Sequence, residues 1–404
     1  MRICFFTENS YKGGMDKLIY TVINNWPDKD DIITLLCNRS HPGYSYLKEN
    51  IINNHMIKPS NVLCSWEIKN KLKDFLPNSI LSFISFSLKY IILPYQVIKL
   101  TIFFNKSNFD KILIFNGGYP GGNTCRAASI AWRLSKKKKA LMACLSTLKR
   151  PAWYAAPFEY VIDRFLSTSI FCFIFPSKFV QSTLSTRKYL MKSKHRVIFN
   201  GIDSFLEINS LSPKNKQQEN NNKTKFLMLA TFEKHKGHEL LFDSIVKLLD
   251  TSNNFHFTIA GFGTIKDRNR IQNAITSRKI DKYITLLEFQ KNTFDLYSNT
   301  DAVVVPSTKF EGLPLTALEA MSLKKPLITT NTGGLKEIFE LNPNIGLISE
   351  ARADKYSNNL ITFIKEKEKI KFYGENGFNT YNKFFTSKSC AIKYHQLLMN
   401  ENIT

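Results

Sequence analysis

The sequence predicts an α/β chain built from two doubly wound, Rossmann-like domains. Three observations predict it. The chain has 404 residues, more than one ordinary domain holds and comfortable for two of about 150–200 residues. Both halves alternate short apolar runs with longer helix-patterned segments, the order that feeds a parallel sheet through crossover helices. Between the halves, residues 210–225 turn polar, with Pro213, Gln217, Gln218 and Asn220 to Asn222. No core can be built from such a stretch, so it reads as a linker.

In the first half, strands are expected at residues 3–7, 32–37, 111–116, 140–144, 170–175 and 196–199. Gly13 and Gly14 follow the first of them. They let a loop bend closely over a ligand before a helix that starts near Met15, although a tight turn explains the pair equally well. In the second half, strands are expected at 226–230, 255–260, 284–287, 302–305, 326–330 and 346–348. From Asp354 onward the pattern is helical, and the last helix, near 388–399, carries Ile392, Leu397 and Leu398. No repeat at solenoid period is present.

Composition narrows the function classes. Hydrophobic residues make up 43% and charged residues 22%, which suits a soluble globular protein, and 32 Phe supply bulk for large cores. The formal net charge of +23 fits nucleic acid, an anionic membrane surface or phosphate-bearing substrates. The basic residues read as spread along the chain, with the densest run, Lys136 to Lys139, a solvated helix end. No nucleic-acid recognition motif accompanies them, so no nucleic-acid partner is expected.

Seven cysteines form no C-x-x-C pair and none sits with His at metal-ligand spacing. They read as reduced, buried thiols of a cytosolic protein. The N-terminus has only a short apolar run before Glu8, too little for a signal peptide. Residues 76–105 are the most apolar stretch, interrupted by Lys89 and Lys99, with Pro94 expected to kink or end a helix. A spanning helix needs about 20 apolar residues in a row, so this stretch reads as a buried helical pair or as an amphipathic segment lying on a membrane. In the second reading Lys89 and Lys99 reach the headgroups.

The segment 303–319 is the most informative. A buried strand, Val303-Val304-Val305, ends at Pro306-Ser307, and a loop with Glu311 and Gly312 leads to Pro314, where a helix opens. Ligands of open α/β sheets bind at the carboxyl ends of strands. A helix N-terminus there offers backbone N–H groups and a positive dipole end that suit a pyrophosphate. Gly312 lets the backbone come close to the ligand. Glu319 falls on or beside the apolar face of the helix 315–321. A carboxylate there needs partners, and a ribose diol or a local Lys would serve.

Glu311-Gly312-Leu313-Pro314 and Glu319-Ala320-Met321 resemble the E-x7-E motif of retaining glycosyltransferases of family 4. In chain order, Asn200-Gly201-Ile202-Asp203, Lys236-Gly237-His238, Ala260-Gly261-Phe262-Gly263, Pro326-Leu327-Ile328 and Thr332-Gly333-Gly334 with Glu337 are similar to further segments of that family. The resemblance covers roughly residues 195–350 closely and the first half only by topology. It implies the GT-B fold: two Rossmann-like domains facing across a cleft, residues 1–205 for the acceptor and 206–385 for the nucleotide-sugar, with a helix at 386–404 packing back on the first.

By the same resemblance, Glu319 binds the ribose hydroxyls and Glu311 contacts the donor sugar or its reacting face. Backbone N–H groups at Gly312 and Leu313 hold the pyrophosphate, and Lys236 stabilises it as it leaves. Gly261, Gly263, Gly13 and Gly14 belong to the donor side. The family works without a metal, and no cofactor is expected, the nucleotide-diphosphate sugar being a substrate. Asp28-Lys29-Asp30 has D-x-D spacing but reads as a turn. The family's usual Arg five positions before the Lys is Thr231 here, so the second phosphate-binding cation is missing or supplied by Lys234 or another side chain, and its usual His is absent from Cys144-Leu145-Ser146-Thr147. Ser146, Lys149 and Arg150 read as the acceptor side. The expected activity is transfer to a lipid-linked or saccharide acceptor in bacterial lipopolysaccharide or capsule assembly, peripheral on the inner face of an anionic plasma membrane. The rival readings are an epimerase or phosphorylase on the same scaffold, separated by an acceptor-free assay, and a non-catalytic binding protein, against which both glutamates argue.

Overall fold

The computed structural model describes residues 1–52, 55–204 and 223–400, without the side chains of residues 78, 79, 82, 83 and 85. The polar linker lies outside the described residues up to residue 222. By internal contacts the chain forms two units, Met1–Gly201 with Ser387–Thr404, and Ile202–Thr386.

The first unit is a sheet of seven parallel strands among the described residues, in the order β3-β2-β1-β4-β5-β6-β7. These are β1 (Arg2–Thr7), β2 (Ile32–Asn38), β3 (Met56–Ser60), β4 (Lys111–Asn116), β5 (Ala140–Cys144), β6 (Ile170–Phe175) and β7 (Lys194–Val197). Both faces are covered by helices, which is why the central strands are continuous apolar runs. Alternate residues divide between two cores. Cys4, Phe6, Ile112 and Ile114 face helices α4 (Asn78–Lys106) and α5 (Asn123–Leu134). Ile3, Phe5, Leu113 and Phe115 face α1 (Gly14–Asn24) and the C-terminal helix Ser387–Met399.

Three expectations change. β3 was not expected; Lys58 and Pro59 break its apolar pattern, and Pro is tolerated because β3 is an edge strand. β7 lies two residues earlier than the sequence placed it, at Lys194–Val197. The stretch 76–105 is one helix of 29 residues rather than a pair, continuous through Pro94. Packing of α4 against α5 offsets the roughly 3 kcal/mol that an interior Pro costs. The C-terminal helix buries Cys390, Ala391, Tyr394 and Leu398, one face at spacing four, while Ile392 and Leu397 are half-buried.

The second unit has six parallel strands among the described residues, ordered β10-β9-β8-β11-β12-β13. They are β8 (Thr224–Leu229), β9 (Phe255–Ala260), β10 (Ile284–Leu287), β11 (Ala302–Val305), β12 (Leu327–Thr330) and β13 (Gly346–Ser349). The order reverses between β8 and β11, so the loops leaving these two strands diverge and leave a crevice at their carboxyl ends.

Candidate active site

That crevice holds a pocket lined by the ends of β8 and β11 together with Lys236, Ser307, Glu311, Pro314 and Thr316. Two loops build it. After β8 the chain makes a short turn, Lys234–Lys236, and reverses at Gly237 with φ +82°. A Cβ on Gly237 would lie 1.8 Å from the Pro306 carbonyl oxygen, so only glycine allows the two loops to touch. The Thr308 amide donates to the His235 carbonyl at 2.8 Å and ties them again.

The contact delivers Lys236 to Glu311. Its ammonium donates to both carboxylate oxygens at 3.1 and 3.0 Å, and the Ser307 hydroxyl donates to one of them at 2.6 Å. Glu311 is buried, while Lys236 keeps about a quarter of its side chain exposed, at 23%. Thr330 and Thr332 donate to the Ser307 carbonyl, and the Gly334 amide donates to the Glu311 carbonyl at 2.9 Å. Phe310, directly before Glu311, has φ +53° and is 62% exposed. A non-glycine residue in the left-handed region stores strain, of a kind that clusters at functional sites.

Pro314 opens the helix Leu315–Ser322, and Glu319 lies on its buried side. Its carboxylate accepts the Tyr297 hydroxyl at 2.7 Å, and the same hydroxyl lies 3.3 Å from the Thr316 carbonyl. Burial, then the charge of Glu319, raises the Tyr297 phenol well above its ordinary range. Thr316, one turn nearer the helix start, lines the pocket, whereas Glu319 is not part of its lining.

Other expected residues fall as follows. Gly312 and Leu313 form the loop between Glu311 and the helix. A Cβ on Gly261 would lie 1.8 Å from the Ala230 carbonyl oxygen, so this residue meets a packing demand between the β8 and β9 exits, and Gly263 packs on Phe232. His238 is buried against Phe232, its ring nitrogens without hydrogen-bond partners. Burial, then the charges of Arg270, Lys236 and His235, pushes its imidazole down to about 3. The cations of this turn are therefore Lys236 and the exposed Lys234. At the position of the family's usual Arg, the Thr231 hydroxyl donates to Glu233 at 2.8 Å.

In the first unit, Gly13 precedes α1 and its amide donates to Asp16 at 2.9 Å. Ser146 is half-buried beside Gly118, and Lys149 and Arg150 are exposed. Asp28 and Asp30 make a turn, the Asp30 amide donating to Asp28 at 3.0 Å. Asp28 does approach Asp31 and His395, with ligand atoms within 4.8 Å of one another. Asp31 already accepts from the N-terminal ammonium at 2.7 Å and the Trp26 indole at 2.8 Å, which accounts for its burial. All seven cysteines are buried and unpaired.

Two site residues escaped the sequence reading. Ser307 stood in the informative segment without a role. Tyr297 lies 22 residues before its partner, on the helix Phe294–Ser298, and an isolated Tyr carries no local signal.

Residues 212–380 match the family model described as Glycosyl transferases group 1. An uncharacterised glycosyltransferase of Methanocaldococcus jannaschii, MJ1178, is 26% identical over 54% of this chain and 56% of its own length. The O-antigen biosynthesis glycosyltransferase WclY of Escherichia coli is 25% identical over 52% of this chain and 57% of its own length. The chain thus spans little more than half the length of these relatives. Among solved structures, Anabaena Alr3699/HepE in complex with UDP superposes with a TM-score of 0.69, at 17% identity, over 99% of this chain and all of that one. The whole chain has the GT-B fold of these solved structures, and its residues 212–380 are similar to the glycosyl transferases group 1 model.

Proposed function

We propose that this protein is a retaining, metal-independent hexosyltransferase that moves a sugar from a nucleoside-diphosphate donor to an acceptor in the assembly of bacterial surface polysaccharide, O-antigen or capsule. The observation that carries the reading is the ion pair between Lys236 and Glu311 at the switch point of the second sheet. An ammonium has three N–H donors. Lys236 can therefore hold Glu311 and a phosphate oxygen together, and take up charge on the diphosphate as its bond to the sugar breaks.

The remaining roles follow from the same loop. Amides of Gly312, Leu313 and the helix start face the diphosphate, with the helix dipole adding to their pull. Glu319, held by Tyr297, accepts from the ribose hydroxyls. Glu311 meets the sugar on the face where positive charge develops. WclY, by its name an O-antigen enzyme, supports the polysaccharide setting, and the UDP complex of HepE supports a nucleoside-diphosphate donor. Lys149, Arg150 and Ser146 are assigned to the acceptor.

The test has two stages. A thermal-shift screen of nucleoside-diphosphate sugars identifies the donor, because a bound donor raises the melting temperature by mass action. Product formed in excess EDTA is then read by NMR. The expected result is undiminished turnover with the donor's anomeric configuration kept. Inversion, or activity lost on chelation and restored by a divalent ion, overturns the reading.

A further inference from the structure

The long apolar helix has two unlike sides. Leu93, Leu100 and Phe104 enter the core of the first unit, and Gln96 donates to the Leu63 carbonyl at 2.7 Å. The opposite side presents Ile91, Tyr95, Ile98 and Ile102 to solvent. Their spacing of four, three and four residues makes one stripe, and Ile91 and Ile98 are 69% and 61% exposed.

A second stripe lies on helix α6 (Ala156–Ser169), where Phe158, Val161 and Phe165 are exposed at spacings of three and four. Trp153, on the turn that leads into it, is 86% exposed. The two helices touch through residues that flank the first stripe. Phe86 packs on Tyr154 and Tyr90 on Phe158, each with ring centroids 5.0 Å apart. Beneath them, Glu159 of α6 binds Lys89 and Tyr90 of α4, Arg126 of α5, and Arg187. This buried network staples α4 to α6. It also corrects the role expected for Lys89. Its ammonium turns inward to Glu159 at 2.7 Å, and burial, then Arg126, lowers its pKa to about 8. Lys89 does not reach outward.

The segment that carries these stripes is strongly basic. Between Asp74 and Asp203 the chain has nineteen Lys and Arg against three Asp and Glu, which places sixteen of the twenty-three net positive charges in this span. The charge is thus concentrated, not spread along the chain. Of the three carboxylates, Glu159 and Asp163 are buried in the network, and Asp110 accepts the Arg2 amide. Lys99 stands beside Tyr95 on the first stripe, Arg164 is exposed between Val161 and Phe165, and Lys149 and Arg150 precede Trp153.

We propose that the outer faces of α4 and α6 together form a docking surface for an anionic lipid bilayer. Stripes of exposed large apolar side chains bordered by charge mark an interaction site. Exposed Ile and Phe side chains enter the boundary of headgroups and acyl chains, Trp153 sits at headgroup level, and the lysines and arginines meet lipid phosphates. By length and composition alone Phe86–Lys106 is also long and apolar enough to cross a membrane. The structure instead commits one side of it to the core, so the helix lies along the surface. This inference does not depend on the donor site, which lies in the other unit.

Vesicles of phosphatidylglycerol and phosphatidylcholine, against phosphatidylcholine alone, test it by co-sedimentation. Binding is expected to favour the anionic vesicles and to fall steeply as salt rises. Ile98→Asp with Phe165→Asp, and separately Lys99→Glu with Arg164→Glu, are each expected to weaken it at least tenfold without change in melting temperature. If one pair misfolds, the other carries the test. Equal binding to both vesicles, or variants that bind like wild type, overturns the proposal. So does bound protein that resists salt and alkaline extraction, which indicates insertion. Self-association abolished by the same variants, with no vesicle binding, assigns the face to a second copy instead and also overturns it.

Discussion

The Tyr297 hydroxyl donates to the Glu319 carboxylate at 2.7 Å, and both side chains are buried. The bond solves the problem of a carboxylate on the inner face of a short helix, because a buried acceptor without a donor would cost about 1–3 kcal/mol. It also leaves the carboxylate in one orientation. Tyr297→Phe is expected to raise KM for the donor several-fold with kcat little changed. A fall in kcat at unchanged KM would contradict a positioning role on the ribose side.

Glu311 and Glu319 are expected to separate in kinetics. Glu319→Ala weakens donor binding, seen as a raised dissociation constant. Glu311→Ala slows turnover, and Lys236→Met lowers kcat by about 10²–10³ by removing a charge that acts on the leaving group. Single-turnover rates beside donor titrations separate these effects, and wild-type kinetics in both glutamate variants would remove the assignment.

Phe310 links strain to the site. Phe310→Gly is expected to relieve the left-handed conformation and stabilise the fold by up to about 1 kcal/mol, while lowering turnover because the Glu311 loop loses its constraint. Chemical denaturation and steady-state rates on the same preparation check both parts.

Burial pushes the imidazole of His238 down from 6.5 to about 3. In this window the unfolded chain binds the proton and the folded chain does not. Stability therefore falls as pH drops from about 6.5 toward 3, and the contribution is fully present above it. His238→Phe removes this slope. Melting temperatures of both proteins across the window should diverge least at pH 7 in their slope and most near pH 4; parallel curves would count against a neutral buried ring.

In the first unit, Glu159→Gln leaves Arg126 and Arg187 buried with half their compensation. A loss of about 3–5 kcal/mol is expected. Lys89→Met should cost far less, because Glu159 keeps both arginines and the Tyr90 hydroxyl. Urea denaturation of the two variants compares them directly.

Much of this molecule was legible in its sequence, because the signals involved are local. Strands buried on both faces must be short apolar runs, so residues 111–116, 140–144, 170–175 and 302–305 matched their elements end for end, and 255–260 and 284–287, less fully buried, matched as well. A strand, a Pro-led helix start and two glutamates eight positions apart marked the loop that lines the pocket of the second unit. What the sequence left open depends on distant neighbours. Lys58 and Pro59 hid β3 because only sheet order makes it an edge strand. Pro94 looked like a break because its cost is local while the packing that offsets it comes from α5. Lys236 meets Glu311 across 75 residues, since the reversal of strand order brings the exits of β8 and β11 together. Whether a lysine in an apolar helix faces lipid or a buried glutamate was decided the same way. Lys89 turned inward because it stands in line with buried Leu93, Gln96 and Leu100 and helix packing placed Glu159 beside it, whereas Lys99 stands next to exposed Ile98.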